Sequence, residues 1–371
     1  MTDLKLIRTI DVPDLDDIAT GGAILGTGGG GDPYIGKLMA QEAIRRHGAV
    51  SLVDVDGFAA DALIAPVCMM GAPTVMTEKL PQGEEIVIAL RKLEKFMGRQ
   101  VDGLLCGEAG GINSTTPFVA AAATGLPLID GDGMGRAFPE LQMTTFGMHG
   151  VSATPMVLGD DKGNSVVLET INNRWTERLA RSATVDMGGS ALLAFYPMTG
   201  ALAKKAIVRG TLTLCADLGR TLREARVRHG DPVEAVRAAL KAEIIFNGRV
   251  RDVLRRTVGG FARGEAEIEG LDEHRDHKLR IAFQNEFLIA ERDGKTVVTT
   301  PDMITLLDAE TGAPVTADGM RYGIRVVALA YPCAEQWRTP KGLELVGPRY
   351  FGYDLDFQPF TPGAARQAGP A

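Results

Sequence analysis

The chain has 371 residues, of which 45% are hydrophobic and 23% charged, and its formal net charge is −7. This composition is typical of a soluble globular protein, and the length predicts two domains because single hydrophobic cores rarely keep growing at this size. The acidic balance and the lack of a basic run argue against a nucleic-acid partner. No run of 18 apolar residues is present, so we expect no membrane span.

The N-terminal run "MTDLKLIRTIDVPDLDD" has no apolar signal core, which predicts a cytoplasmic protein. Scattered cysteines favour reduced thiols over a disulfide framework or a structural zinc site. They are Cys68, Cys106, Cys215 and Cys333.

The first 170 residues or so predict alternating helices and strands. The predicted helices are "LDDIATGGAIL", "YIGKLMAQEAIRRHG", "GEEIVIALRKLEKFMG" and "STTPFVAAAATG". The predicted strands are the short apolar runs "AVSLVDVD", "ALIAPVCMMG", "VDGLLCG" and "LPLIDGDG". Such alternation is typical of a mostly parallel sheet covered by helices.

The second half begins with the helical runs "LAKKAIVRGTLTLCADLGRTLREARVRHG" and "PVEAVRAALKAEI". After Phe246, short β runs separated by turn residues predict hairpins that close into a sandwich or small barrel. We therefore predict an α/β domain over residues 1–175, a helical connection with a β-rich, barrel-like domain over 176–360, and a loose tail over 361–371.

The glycine-rich loop between the first two predicted helices matches the dinucleotide pattern G-x-G-x-x-G over residues 26–31. A dinucleotide turn must follow a strand, whereas the segment before this loop is predicted to be helical, so we expect no nucleotide cofactor. Two interpretations remain. The loop is either a structural turn or a binding loop in which the backbone N–H groups of Gly28, Gly29 and Gly30 approach a small polar or anionic substrate.

Two predicted strand ends carry polar side chains, and ligands of open α/β sheets bind beyond such ends. In "CGEAGGINSTTP", Glu108 is a candidate acid, although a capping or salt-bridged role is the alternative. Asn113 and the helix start at Ser114 are candidates for binding a substrate carboxylate, because free N–H groups at a helix start favour anions.

In "DGDGMGRAFPE", Asp130 and Asp132 occupy alternate positions, so both carboxylates are predicted to face one cavity. Such a pair either shares a proton or holds a divalent cation, and Arg136 either neutralises it or binds a substrate carboxylate. An ordinary Asp-Gly turn is the alternative. Together with His149, Asp130 and Asp132 form a candidate site for zinc or another divalent cation. The sequence does not decide whether a metal is bound there.

The runs that carry these residues resemble the S-methyl thiohydantoin desulfurase family, which is associated with hydantoin-utilisation genes. The similar runs include "ILGTGGGGDPYIG", "MGAPTVMTEKL", "GEAGGIN", "PLIDGDGMGRAFPELQM", "QNEFLIA" and "VGPRYFGYDLDFQPF", and the resemblance covers essentially the whole chain. It implies a three-layer α/β domain followed by a β-barrel-like domain. It also implies a hydrolase that cleaves the C–S bond of a propionate-bearing S-methyl thiohydantoin, as in ergothioneine or thiolated-histidine breakdown, and releases methanethiol.

That reaction requires water to add to the ring carbon that bears the sulfur, and it predicts roles for the candidate residues. Asp130 and Asp132 would position or deprotonate the water, with or without a metal, and Glu108 would protonate a ring nitrogen. The glycine loop would donate hydrogen bonds to the ring carbonyl as an oxyanion site does. The propionate would bind to Asn113, to the helix start at Ser114 or to Arg136.

Two alternative functions remain open at this stage. The first is hydrolysis of a hydantoin or lactam amide bond at the same site, which would give a ring-opened product. The second is a non-catalytic subunit that associates with a hydantoinase. The apolar run "SALLAFYPM" is either core or the interface of a homo-oligomer, which we expect the protein to form.

Overall fold

The computed structural model of the protein describes residues 4–71, 75, 83–258 and 261–363. Up to residue 206, the helices are α1 (Asp14–Leu25), α2 (Tyr34–His47), α3 (Glu84–Met97), α4 (Thr116–Thr124), α5 (Thr145–Met148), α6 (Asn173–Asp186) and α7 (Gly200–Ala206). The strands up to the same point are β1 (Leu6–Ile10), β2 (Val50–Val53), β3 (Leu63–Gly71), β4 (Gly103–Cys106), β5 (Leu128–Ile129), β6 (Gly131–Asp132), β7 (Met156–Gly159), β8 (Ser165–Leu168), β9 (Ser190–Ala194) and β10 (Met198–Thr199).

The remainder of the described chain begins with helices and continues with longer strands. Its elements are β11 (Val208–Arg209), α8 (Thr211–Val227), α9 (Pro232–Leu240), β12 (Glu243–Val258), β13 (Phe261–Gly270), β14 (Lys278–Gln284), β15 (Glu286–Arg292), β16 (Lys295–Thr299), β17 (Met303–Asp308), β18 (Arg325–Tyr331) and α10 (Pro340–Val346). The predicted helical connection and the predicted strand-rich region are both present.

Helix α3 illustrates how local sequence sets an element. Ile86, Leu90 and Leu93 are spaced by three or four residues, and all three are fully buried on one face. The helix ends at Gly98, whose left-handed backbone lets its N–H group donate to the last free carbonyl oxygens.

The first sheet has the strand order β1-β2-β5-β4-β3-β9-β7-β8, with β10 also paired to β3. The strands β2, β5, β4 and β3 are parallel to one another, but all other pairings in this sheet are antiparallel. The prediction of a mostly parallel sheet is therefore wrong, and the sheet is mixed. Strands β7 and β8 form a hairpin, and β9 inserts between β7 and β3, so only the helix-connected strands at the centre run parallel.

The second sheet has the order β16-β15-β14-β13-β12-β18-β17, and every pairing in it is antiparallel. Its end strand β17 contacts β15, which shows that the sheet is curled. Strands β16 and β17 do not pair with each other in the described part of the chain, so the predicted barrel-like domain is a curled half-barrel and not a closed barrel.

Some predicted elements differ from the structure, and others concern residues that the structure does not describe. Strand β1 was not predicted, because four of its five residues are not buried and no apolar run marks it. Strands β9 and β10 belong to the first sheet although they follow residue 175, and the predicted domain boundary and the three-layer arrangement stay predictions. Residues 364–371 of the predicted tail and most of "MGAPTVMTEKL" lie outside the described residues.

Within the described ranges, the helices are all too short or too polar to cross a bilayer.

The buried side chain of Arg136 joins the two halves of the molecule. Its guanidinium is fully buried and lies 4.5 Å from the centre of the Phe138 ring. The guanidinium donates to acceptors in three parts of the chain: the carbonyl oxygens of Ala137 (3.1 Å), Pro301 (2.7 Å), Asp302 (3.2 Å) and Phe287 (3.3 Å), and the hydroxyl of Thr27 (2.8 Å). An arginine has five N–H groups in a rigid fork, so this network uses its donor capacity fully.

We expect Arg136→Ala to lower the free energy of unfolding by at least about 3 kcal/mol, because it leaves several buried carbonyl oxygens without donors. Urea denaturation measures the change. The matched control is Arg220→Ala, which removes an exposed ion pair with Asp217 and should cost under about 1 kcal/mol. Equal unfolding midpoints for the two variants would show that Arg136 does not join the two halves.

Candidate active site

One cavity lies where the two halves of the molecule meet. Its wall includes the glycine loop at residues 28–31, the end of β3, the loop after β4 and the turn between β14 and β15. Among the predicted site residues, Gly28, Gly29, Gly30, Glu108 and Asn113 line this cavity. The structure therefore places the glycine loop and Glu108 in one cavity wall, whereas Asp132, which was predicted to face the same cavity, does not line it.

The glycine loop follows α1 and precedes α2, so the order of elements differs from that of a dinucleotide turn. The N–H group of Gly29 donates to the carbonyl oxygen of Gly26 at 2.8 Å, so the predicted donation to a substrate carbonyl does not apply to Gly29. The backbone of Gly30 lies close enough to the Glu286 carboxyl group to act on its pKa, in the direction that opposes burial. A Cβ atom on Gly29 would lie 2.0 Å from Oε1 of Glu286, so glycine is needed there for close approach.

Glu108 follows β4 and is half-buried at the cavity wall. The side-chain amide of Asn113 donates to its Oε1 at 2.8 Å. Burial raises the pKa of Glu108 to about 7, although hydrogen bonds from Asn113 and from the Phe138 backbone act in the opposite direction. A carboxyl group with a pKa near neutrality is suited to proton transfer.

Asn113 holds Glu108 in place. Its Oδ1 accepts from the N–H group of Met69 at 2.7 Å, and its Nδ2 donates to the carbonyl oxygen of Met69 at 3.0 Å as well as to Glu108. These bonds tie the loop after β4 to the end of β3. Asn113 lines the cavity as expected, but its polar atoms already have partners, so we assign it a positioning role.

Glu286, the first residue of β15, is a cavity residue that the sequence analysis missed. Its side chain is 2% exposed, and its Oε2 has no hydrogen-bond partner among the described residues. Burial and then the charge of Glu108 raise its pKa well above the usual value, while the charge of Arg136 acts against them. The direction of this shift favours the protonated, neutral form of the Glu286 carboxyl group. The polar run Gln284-Asn285-Glu286 inside the apolar "IAFQNEFLIA" was the available signal.

Asp132 is fully buried but does not line the cavity. Its carboxylate accepts from the N–H groups of Ala109 at 2.7 Å, Gly135 at 2.9 Å and Met134 at 3.2 Å. Burial raises its pKa to about 7, against the effect of these donors. The carboxylate therefore holds the loop that carries Glu108, and its predicted role in activating water is corrected to a positioning role.

Asp130 does not line the cavity. Its carboxylate accepts from the N–H groups of Leu212 (3.1 Å) and Thr213 (3.0 Å) and from the hydroxyl of Thr213 (2.6 Å), at the start of α8. It caps that helix. The predicted carboxylate pair in one cavity is therefore wrong, because Asp130 lies between the short strands β5 and β6, where the alternation of a continuous strand is broken.

Three other predicted site residues also lie outside the cavity wall. The hydroxyl of Ser114 donates to the carbonyl oxygen of Gly111 at 2.7 Å, and Arg136 is consumed by the network between the halves. His149 is exposed at the end of α5. None of these three side chains is placed to bind a substrate in this cavity.

The predicted metal ligands do not fit a metal ion. The carboxylates of Asp130 and Asp132 both accept from backbone N–H groups of the protein, and His149 is exposed. In the parts of the chain that the structure describes, no three His, Cys, Asp or Glu side chains are grouped as metal ligands would be. We therefore assign no chemical step to a metal at these residues.

Comparisons with known proteins agree with this architecture. Residues 13–170 match the family model described as the S-Me-THD-like N-terminal domain, and residues 171–360 match the S-Me-THD-like C-terminal domain. No curated protein matches the chain. A protein from Chromobacterium violaceum, solved by X-ray crystallography in a structural genomics programme, is 24% identical, with a TM-score of 0.78 over 95% of this chain and 100% of that chain. That likeness shows a shared fold.

The two family models adjoin at residue 170 and together cover almost all of the chain. The resemblance found in the glycine loop, in "GEAGGIN" and in "DGDGMGRAFPELQM" lies within the first of them. "QNEFLIA", which contributes Glu286 to the cavity, lies within the second. The protein therefore belongs to the S-Me-THD-like family, in agreement with its resemblance to the S-methyl thiohydantoin desulfurases.

Proposed function

We propose that the protein is a hydrolase that cleaves the C–S bond of a propionate-bearing S-methyl thiohydantoin to give a hydantoin and methanethiol. Such a substrate would arise in the breakdown of ergothioneine or a related thiolated histidine. The family name implies a desulfurase-like enzyme. The observation that carries the proposal is a pair of carboxyl groups, Glu108 and Glu286, which line one cavity and whose pKa values are raised by burial, that of Glu286 further by the charge of Glu108.

The first step is addition of water to the ring carbon that bears the sulfur. In its ionised form, Glu108 takes a proton from the water as the oxygen bonds to this carbon. The neutral Glu286 donates its proton to the ring nitrogen that was doubly bonded to the carbon. The product is a tetrahedral centre that carries a hydroxyl group, the methylthio group and two ring nitrogens.

The second step is collapse of this centre. The hydroxyl group transfers its proton to the Glu286 carboxylate as the carbonyl group forms and the C–S bond breaks, while the proton that Glu286 gave in the first step stays on the ring nitrogen. Methanethiolate leaves with the electron pair and takes the proton that Glu108 holds. Both carboxyl groups regain their starting states, and the net change is one water consumed and one methanethiol released.

The cavity wall also suits a sulfur-bearing leaving group. Met69, Met70 and Met134 contribute to it, and thioethers are polarisable groups that adapt to irregular apolar ligands. Cys68 lies in the same wall, but burial raises the pKa of its thiol well above the usual value. A neutral thiol is a weak nucleophile, so we favour direct attack by water over a covalent intermediate on cysteine.

We expect Glu108→Gln to lower kcat/KM for methanethiol release by roughly 10²- to 10⁴-fold, the usual contribution of a general base. The wild-type rate should rise with pH through about 7, because Glu108 must lose its proton to act. The variant should lack this rise. Assays of methanethiol release with a thiol reagent across pH 5–9 measure both the loss of kcat/KM and the change in the pH profile.

The control for this experiment is Glu140→Gln. Glu140 also lines the cavity, but its carboxylate is held by the hydroxyl of Tyr350 at 2.7 Å. The Glu140→Gln variant should retain activity within about tenfold of the wild type, since we assign no proton transfer to Glu140. An unchanged pH profile in Glu108→Gln would remove Glu108 from the mechanism, and a ring-opened product would favour amide hydrolysis instead.

We expect Glu286→Gln to become more stable relative to the wild type as pH rises. The pKa of Glu286 is raised in the folded protein above its usual value of 4.5, so the wild type gains stability from the proton below pH 4.5 and loses it as pH rises through the folded-state pKa. Glutamine imitates the neutral acid and does not titrate. Urea denaturation at pH 5 and pH 8.5 measures the difference, and a pH-independent difference would contradict a neutral Glu286.

A further inference from the structure

Arg181 on α6 is the one cationic side chain in the cavity wall as the described residues define it. The other ionisable groups that line the cavity, apart from Cys68, are acidic. They are Glu108, Glu140, Glu177, Glu286 and Asp318. Because Arg136 is consumed by the network between the two halves, the cavity has no other guanidinium in its described wall.

The position of the Arg181 guanidinium is set by three neighbours. Its Nε donates to Oε1 of Glu177, one helical turn earlier, and its Nη2 donates to the carbonyl oxygen of Pro139 at 3.1 Å. The guanidinium carbon lies 4.4 Å from the centre of the Phe261 ring. Glu177 is itself held, because its Oε2 accepts from the N–H group of Leu141 at 2.9 Å. The group is therefore pre-organised by α6, the loop at 139–141 and the start of β13.

This arrangement leaves binding capacity on Arg181, which lines the cavity. Nη1 of Arg181 makes no hydrogen bond to the described residues, and the side chain is 20% exposed. An arginine fork binds a carboxylate through two N–H groups at once, with stronger bonds than neutral donors make. Glu177 pairs with the Nε group of Arg181, which leaves Nη1 as the donor that a ligand can use.

We infer that Arg181 binds the carboxylate arm of the substrate and thereby determines specificity for acidic heterocycles. This inference rests on the proposed function for the identity of the ring. It replaces Asn113, Ser114 and Arg136 as the predicted carboxylate site. Glu108 and Glu286 line the same cavity as Arg181, and the inference places the substrate ring there.

The test compares an S-methyl thiohydantoin propionate with its primary amide, which has a similar shape and no charge. The wild type should prefer the acid by 10- to 100-fold in kcat/KM, mostly through KM. Arg181→Gln should lose this preference and leave kcat for the amide within a few-fold of the wild type. The double variant Glu177→Gln with Arg181→Gln should behave in the same way, and it leaves no buried carboxylate without its partner.

The matched control is Arg178→Gln, on the same helix. Arg178 is exposed and lies over the Trp175 ring at 4.8 Å, outside the cavity wall, so this variant should keep the preference for the acid. A wild type without preference, or an Arg181→Gln variant that keeps it, would overturn the inference while the proposed hydrolysis stands.

A binding experiment distinguishes failure of the proposed function from failure of this inference. If the wild type releases no methanethiol from either compound, calorimetric binding of hydantoin propionate and its amide decides the inference on its own. Tighter binding of the acid that is lost in Arg181→Gln and kept in Arg178→Gln supports the carboxylate site. Equal binding of the acid and the amide overturns it.

Discussion

A buried guanidinium on Arg136 links the glycine loop, the loop after β6 and the curled antiparallel sheet. A charged group with so many buried carbonyl acceptors is tolerated only where the geometry satisfies every donor, so the three segments must meet in one arrangement. The cavity lies between the same segments. The charge of Arg136 also acts on Glu286 and opposes the effect of burial on its pKa. One cation therefore influences both the assembly of the site and its protonation.

The site works through a difference in environment between two residues of the same type. Glu108 is half-buried and accepts a hydrogen bond from Asn113, so its pKa rises only to about 7. Glu286 is fully buried, and the charge of Glu108 raises its pKa further. Two neighbouring carboxyl groups cannot both ionise at low cost, which separates a base from an acid at one pH. Other acids, such as Asp132, position the loops around this pair.

Particular residues show how far sequence reasoning reached into the site. Glu108 was identified because the end of a parallel strand is a general place for ligands, and the structure places it in the cavity. Asp130 was misassigned because its short flanking strands do not keep a continuous alternation, and it caps α8 instead. Glu286 was missed because its importance depends on contact with a loop more than 250 residues earlier in the chain.

By itself the sequence determined many of the helices and strands, the position of the glycine loop after a helix and the family of the chain, but it did not predict α6, which carries Arg181. Local spacing of apolar residues, capping residues and glycines specifies such features, since they depend on near neighbours. Only the tertiary structure decided which acids share the cavity and that Arg181, not Arg136, faces it. A side chain's pKa and free donors depend on burial and on partners from distant segments, and the order of residues along the chain does not contain that information directly.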